Sequence, residues 1–597
     1  MTELTPSAIV ATYFPGPQSE NEVGVRAEVE AVLDSWFNWR KGLFASDPTT
    51  APLPDQNAEV LRREHRLLSR RLNELCASLT AETPSYSPRS MGHMKAELSL
   101  PALLGWLAAT LHNPNNTTRE SSKVGTLIER EAISMLADML GYDRSQAQGH
   151  FTSGGTVANF EAVWRARYRL DHWLSLALFI SETTGEPLDV FAAAHMGWDR
   201  FRSLWGAHGL TDDVLRRYSA VASNPPEVFR RISQASGRAY LGPVVLVPGN
   251  KHYSWRKAAS VFGLGEESFW SIALDDQGRL DLTAFEGLVF RAEAEGRPVL
   301  MAVSVAGTTE TGEIDPIDGL HDLLERWEQE RGWRIWRHVD AAYGGFLCSL
   351  LGGLDEAVLG IDLARALGAI GRADSITIDP HKLGYVPYAC GAFLTRDAGR
   401  YVVSAFDAPY LDRPEMGQDK WSSTLEGSRS AGGAAAVWLT GKTLGFGPAG
   451  IGTLLAETIR SRRHFQAAVS RELPFVRFLE PSDANIVCFS IAEDGEALSS
   501  SNRRTEALFE AFRTSDAFAV SRTRLGVDYL AQVERHVARY GGAADEDSLT
   551  MIRCVFMNPY WAAPALRDHL VQEYIELLKR FANQDLPMTT PDDKPDD

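Results

Sequence analysis

A lysine follows an apolar run in Asp379-Pro380-His381-Lys382, directly after Ser375-Ile376-Thr377-Ile378. Burying an ammonium at a strand end is costly unless the group does chemistry. An amine that yields its proton readily is what Schiff-base formation needs. The plain alternative is a surface lysine in a loop. A carboxylate ends a second apolar run in His338-Val339-Asp340-Ala341-Ala342-Tyr343-Gly344-Gly345. The small residues after Asp340 leave room for a flat heteroaromatic ring met edge-on. Were that ring a pyridine, ionised Asp340 would stabilise its protonated nitrogen and make it an electron sink. Alone, an Asp at a strand end reads equally as a turn or cap residue.

Two further pieces add to this pair. Thr152-Ser153-Gly154-Gly155-Thr156-Val157-Ala158-Asn159 runs into the amphipathic stretch FEAVWRARYRL. Glycine and hydroxyl residues at a helix start expose unpaired N–H groups and a partial positive charge to an anion such as a phosphate. They also serve as simple N-caps, through Ser153 or Thr156. His252, in GNKHYSW after VVLVPG, is either a stacking partner for a planar ligand or an ordinary loop histidine. Gly445-Phe446-Gly447-Pro448-Ala449-Gly450 fits the GxGxxG dinucleotide pattern, but it follows the helix-like AAAVWLTGKTL and contains a proline. Without a strand before it, the match reads as a helix-to-helix connection. No HExxH, zinc-finger spacing or EF-hand loop is present, so no metal is indicated.

The elements that must position these residues follow from periodicity. Residues 1–114 read as a helical segment, with apolar residues at spacings of three and four in 29–39 and 58–79. Residues 115–435 alternate helical runs with the β-rich runs VVLVPG, LMAVSVAG, IWRHVDAA and SITID. That pattern predicts an α/β domain with a largely parallel sheet covered on both faces and a ligand site at the carboxyl ends of its strands. A charged, mostly helical elaboration is expected at about 185–238, a small α+β unit at 436–584, and a disordered tail rich in Pro, Thr and Asp at 585–597.

Composition excludes several classes. Lys and Arg number 60 against 78 Asp and Glu, a net charge of −18 with no basic cluster, which argues against nucleic-acid or anionic-membrane partners. The longest apolar stretch, about 98–111, is broken by Pro101 and falls short of the ~20 residues that cross a bilayer. The N-terminus carries an acid where a secretory signal needs bases, and the five cysteines form no framework, so a cytoplasmic location is expected.

In the order glycine-rich turn, histidine, aspartate, lysine, the sequence resembles the pyridoxal-phosphate-dependent group II amino-acid decarboxylases over about residues 87–561. It is most similar there to the bacterial tyrosine decarboxylases, through SPRSMGHM (87–94), HNPNN (112–116), IDPHKLGYVPYACGA (378–392) and RCVFMNPY (553–560). The resemblance implies the aspartate-aminotransferase-like fold, PLP fold type I, and pyridoxal 5'-phosphate as cofactor. Lys382 would carry the cofactor and Asp340 would pair with its ring nitrogen. His252 would stack on the ring and handle protons, and Ala342 would pack on the opposite face. Gly155, Thr156 and His381 would hold the phosphate, and Thr308 would line the pocket. Ser428 would reach the phosphate of a neighbouring subunit in a homodimer with shared sites, its N-terminal helices wrapping the partner. Arg553 would orient the substrate carboxylate, Pro88 and His93, with Met94, would lie near its side chain, and Tyr410 in a lid at about 404–427 would return the proton. One departure is Asp379, where animal aromatic decarboxylases tend to have Asn. A carboxylate beside a phosphate is repulsive, so it is expected to point away.

The expected reaction is decarboxylation of L-tyrosine or a related aromatic amino acid. Arg89 leaves an acidic amino acid open as the alternative. The same lysine and aspartate would also serve an aminotransferase, another lyase or an aldehyde synthase, and a catalytically silent binding protein is the rival of a different class.

Overall fold

The computed structural model describes residues 5–48, 59–404, 420–515 and 517–582. The expectations placed on Tyr410 and on the tail at 585–597 therefore lie outside the described residues.

The β-rich runs form one seven-stranded sheet. Its strands are β1 (Gln148–Thr152), β2 (Val244–Pro248), β3 (Phe269–Ile272), β4 (Val299–Val305), β5 (Arg337–Asp340), β6 (Ser375–Ile378) and β7 (Gly391–Thr395). They lie in the order β1-β7-β6-β5-β4-β2-β3. From β3 to β6 every pairing is parallel, whereas β7 runs antiparallel to both β6 and β1. The connection from β6 to β7 is too short for a crossover helix, so the chain doubles back and β7 must oppose β6. That reversing loop is the DPHKLGY segment. The carboxyl ends of β1, β5 and β6 consequently open on one edge of the sheet, where ligands bind in such folds.

Every residue of β4, β5 and β6 is buried, as a sheet covered on both faces requires. One cover is the long helix Gly155–Thr184. Ala158, Ala162, Ala166 and Leu170 recur every fourth residue and pack with Val245, Val247, Met301, Val303 and Phe393 of the sheet. Val339, Ile376, Ile378 and Leu394 belong to the core on the other side, with Ile133, Val437 and Leu455 from the helices Gly125–Met139, Gly432–Thr443 and Thr453–Glu472.

The stretch 185–238 folds into the helices Val190–Ala194, Trp198–Ala207, Asp212–Arg216 and Pro225–Ser236, whose apolar residues join the core beneath the long helix. A second sheet holds β8 (Val476–Phe478), β9 (Ile486–Ile491), β10 (Ser521–Leu525) and β11 (Leu549–Val555) in the order β10-β11-β9-β8, with every neighbour antiparallel. It packs against the closing helix Pro564–Ala582. The GFGPAG segment joins the helices Gly432–Thr443 and Thr453–Glu472, so no strand precedes it and the dinucleotide pattern is accidental. The helices Glu22–Leu43 and Glu59–Leu79 bury none of their residues within this chain. Among the described residues no helix is long and apolar enough to cross a membrane.

Candidate active site

The three motifs meet because β1, β5 and β6 end at the same edge. A cavity of about 310 Å³ there is lined by Lys382, Asp340, His252, Thr308 and Ala342, and by the turn from Ser153 to Thr156. His381, Asp379 and Tyr388 complete the wall beside the lysine. Residues far apart in the sequence are thus gathered by strand order alone.

Asp340 is 5% exposed and its carboxylate is held on several sides. Oδ2 accepts from Asn159 Nδ2 at 2.8 Å and from Trp255 Nε1 at 3.3 Å, and Oδ1 accepts from the Ala342 amide at 3.4 Å. Behind Asn159 the bonds form a directed chain. Asn159 Oδ1 faces His338 Nε2 at 3.2 Å, and His338 Nδ1 faces Ser375 Oγ at 2.9 Å. A carbonyl oxygen only accepts, so the ring proton belongs on Nε2, and Nδ1 takes the serine hydroxyl proton. Trp336 Nε1 in turn donates to Ser375 Oγ at 2.8 Å. Burial drops His338 to a pKa of about 4, which keeps the imidazole neutral at pH 7. All these donors therefore point toward the Asp340 carboxylate.

Lys382 lies on the loop after β6, its Nζ 3.3 Å from Asp379 Oδ2. His381 Nδ1 accepts from the Cys390 amide at 3.1 Å, which leaves the proton of the neutral ring on Nε2, 3.5 Å from the same Asp379 oxygen. The His381 ring packs at a tilt against Tyr388, centroids 4.2 Å apart. Burial lowers the pKa of both His381 and His252. His252 Nδ1 is 3.0 Å from Ser254 Oγ. Thr308 Oγ1 donates to Glu313 Oε2 at 2.6 Å and accepts from the Gly312 and Glu313 amides, which shapes its loop. At Gly155, the first residue of the long helix, a Cβ would come within 3.2 Å of Ala342 Cβ, so a side chain there would crowd this approach of helix to strand end.

Other expected residues fall elsewhere. Ser428 Oγ accepts from Asn115 Nδ2 at 3.1 Å and does not line the cavity. Arg553 is buried on β11, donating to the Gly92 carbonyl at 3.0 Å and Ser521 Oγ at 3.2 Å, while its Nε has no partner. His93 is its neighbour; burial first and the Arg553 charge second lower the His93 pKa. The Met94 carbonyl accepts from Tyr388 Oη at 3.2 Å, tying this segment to the cavity wall.

Three expectations are corrected. Pro88 lines a different cavity, with Phe14, Tyr86 and Leu566, and does not line the one holding Lys382. The cause is its neighbour: Arg89 forms a two-pronged ion pair with Glu573, at 2.9 and 2.7 Å, which fastens the segment to the closing helix. Arg89 is thereby engaged and does not line the Lys382 cavity, so it is not poised for a second substrate carboxylate. Asp379 points into the cavity and not away from it. The loop is pinned by Lys382 and Asp379 backbone bonds to the Asp379 and Ala342 carbonyls, and the side chain meets the Lys382 amine inside.

Asn159, Trp255 and Ser375 carry no assigned role in the sequence reading. Asn159 had a legible signal, since it stands one helical turn after Gly155 and must share the helix face of the phosphate-type turn. Trp255, on the helix Ser254–Val261, and Ser375, on β6, had none, because their links toward Asp340 exist only in the folded chain.

The donor set suits pyridoxal phosphate: an amine, a carboxylate fixed by neutral donors, a neutral imidazole and an open helix N-terminus around one cavity. Comparison with known proteins agrees. Residues 227–492 match the pyridoxal-dependent decarboxylase conserved domain. The chain is 29% identical to an L-tyrosine decarboxylase of Levilactobacillus brevis, covering 92% of each chain. It is 27% identical to an L-tyrosine decarboxylase of Enterococcus faecium, covering 96% of this chain and 99% of that one. In fold it resembles the crystal structure of mouse CSAD, with a TM-score of 0.63 and 19% identity over 94% of this chain and 99% of that one. These matches support an amino-acid decarboxylase of the group II pyridoxal-phosphate-dependent type, with PLP fold type I. Within that family its similarity runs nearly end to end with the bacterial tyrosine decarboxylases.

Proposed function

We propose that this enzyme removes the α-carboxyl group of L-tyrosine or a closely related aromatic amino acid. The observation that carries the reading is the charge of the cavity. Among the described residues lining it, Lys382 is the one Lys or Arg, and Arg89 is spent on Glu573. A substrate bearing a second carboxylate would find no fixed cation for it, whereas an uncharged side chain needs none. Full-length similarity to two enzymes named for tyrosine supports the same choice.

In this reading Lys382 would hold the cofactor through its amine. The cofactor, when bound, supplies a ring that accepts the electrons left as carbon dioxide departs. Asp340 keeps a proton on the ring nitrogen, and Asn159 and Trp255 hold its carboxylate in place. His252 and Ala342 flank the ring. The turn from Ser153 to Thr156 and His381 bind the phosphate, with Thr308 beside them. Arg553, outside this cavity and already donating to the Gly92 carbonyl and Ser521 Oγ, is not assigned to the substrate carboxylate, and His93 lies near the substrate side chain. Ser428 serves the site of a second copy. The N-terminal helices, which expose Leu68, Leu72 and Leu75 at helical spacing, wrap that copy; sedimentation as a dimer is expected, and a fully active monomer would refute the shared site.

A panel of L-tyrosine, DOPA, phenylalanine, tryptophan, glutamate and aspartate, scored by amine formed, tests the substrate. The aromatic arms should dominate, and a preference for glutamate or aspartate would overturn the reading. Released carbon dioxide must match amine; keto-acid, or ammonia with peroxide, would mark a different reaction.

A further inference from the structure

Asp379 is the anion nearest the cofactor's lysine, and its setting is unusual for a carboxylate. Oδ2 is 3.3 Å from Lys382 Nζ and 3.5 Å from His381 Nε2, while Oδ1 is buried without any hydrogen-bond partner. A Cβ at Gly155 would lie 2.9 Å from Oδ2 and 3.3 Å from Oδ1, and one at Gly391 would lie 2.8 Å from Oδ1. The carboxylate is therefore pressed against the first residue of the long helix, the place whose free N–H groups and dipole favour an anion. Lys382 and His381 face it from its own loop, Tyr388 and Cys390 from the end of that loop, and His252 and Asp340 across the cavity. Lys382 is the cation among them, and its amine is the group that must leave the pair to hold the cofactor.

Resting on the cofactor assignment above, we propose that Asp379 is a resident anion that competes with the cofactor's phosphate for the helix N-terminus. Loading is then coupled to uptake of a proton from solvent. Two anions in one shielded site repel by an amount that falls steeply when one oxygen is protonated. The proton would reside on the Asp379 carboxylate, and no covalent bond is made or broken by Asp379. The consequence is an enzyme whose cofactor affinity rises as pH falls.

The test uses full-length apoprotein titrated with inorganic phosphate and with pyridoxal phosphate. Calorimetry in two buffers of different protonation enthalpy counts protons, and visible absorbance follows cofactor attachment. Wild type should take up more protons per ligand than D379N. D379N should bind both ligands about tenfold or more tightly at pH 8. Equal or weaker binding of phosphate by D379N overturns the proposal. So does wild-type phosphate binding without proton uptake, a measurement that needs no variant. If pyridoxal phosphate produces no visible band with wild type, the cofactor assignment itself falls and takes the proposal with it, an outcome distinct from the other two.

Discussion

At the scale of single residues, the chemistry rests on an amine and a carboxylate that the fold treats differently. Lys382 keeps one charged neighbour, Asp379, while Asp340 is enclosed by donors that carry no net charge. Neutral donors fix a carboxylate without pairing it with a second charge, which suits Asp340 to face a ring nitrogen. Asp340→Asn should fold and bind cofactor, yet lose roughly 3–4 kcal/mol of transition-state stabilisation, about 10²–10³ in kcat. Steady-state kinetics showing near-normal turnover would dispose of this role. Lys382→Ala should keep its far-UV circular dichroism and lose the visible band of lysine-bound cofactor; an unchanged spectrum would identify another lysine as the attachment point.

At the scale of elements, the site depends on the register of β5 against β6 and on the long helix. His338 pairs with Ser375 across those strands, and Asp340 with Thr377, so the chain of donors ending at Asn159 exists only in this register. A slip by one residue would send each side chain to the opposite face. Asn159→Ala removes the strongest donor to Asp340. A hydrogen bond to a charged group is worth about 1.5–3 kcal/mol, so kcat should fall about 10- to 100-fold. KM should change little, because Asn159 positions Asp340. A loss confined to KM would argue against the chain of donors. The same helix is anchored by Glu161, which is held down at a pKa of about 2: burial opposes this, but the Arg165 charge and hydrogen bonds from His150 and the Leu425 amide overcome it. The amide of Leu425 donates to Glu161 at 2.7 Å, so the described end of the expected lid region is tied to the helix.

At the scale of the whole molecule, burial of titratable groups sets how stability responds to acid. Burial lowers His150, His195 and His338 to a pKa of about 4 and His321 and His536 to about 3. Unfolded histidine takes up a proton near pH 6.5, so below that value the unfolded chain binds protons the folded chain refuses. The stability from these groups is full above about 6.5 and is lost as pH falls toward 4. Glu313 and Asp315, pushed up to about 7 by burial, have the opposite sign and contribute stability that is lost as pH rises toward 7. Five histidines outweigh two acids. The apoprotein should therefore melt at a lower temperature at pH 4.5 than at pH 6.5; calorimetric scans showing the reverse would mean that the buried acids dominate.

What the amino-acid order determined by itself was local: strand and helix periodicity, the covered parallel sheet, the reactive loop after β6, the carboxylate ending β5 and the glycine turn opening the long helix. Each is written in a few adjacent residues, where backbone geometry and burial leave small choice. The tertiary structure alone decided what depends on distance across the chain. It turned Asp379 inward, to within 3.3 Å of the Lys382 amine. It spent Arg89 on Glu573 and carried Pro88 off with it, a contact between segments 484 residues apart. It also aligned Ser375, His338 and Asn159 behind Asp340. Such pairings arise from strand order and register, which no short stretch of sequence encodes.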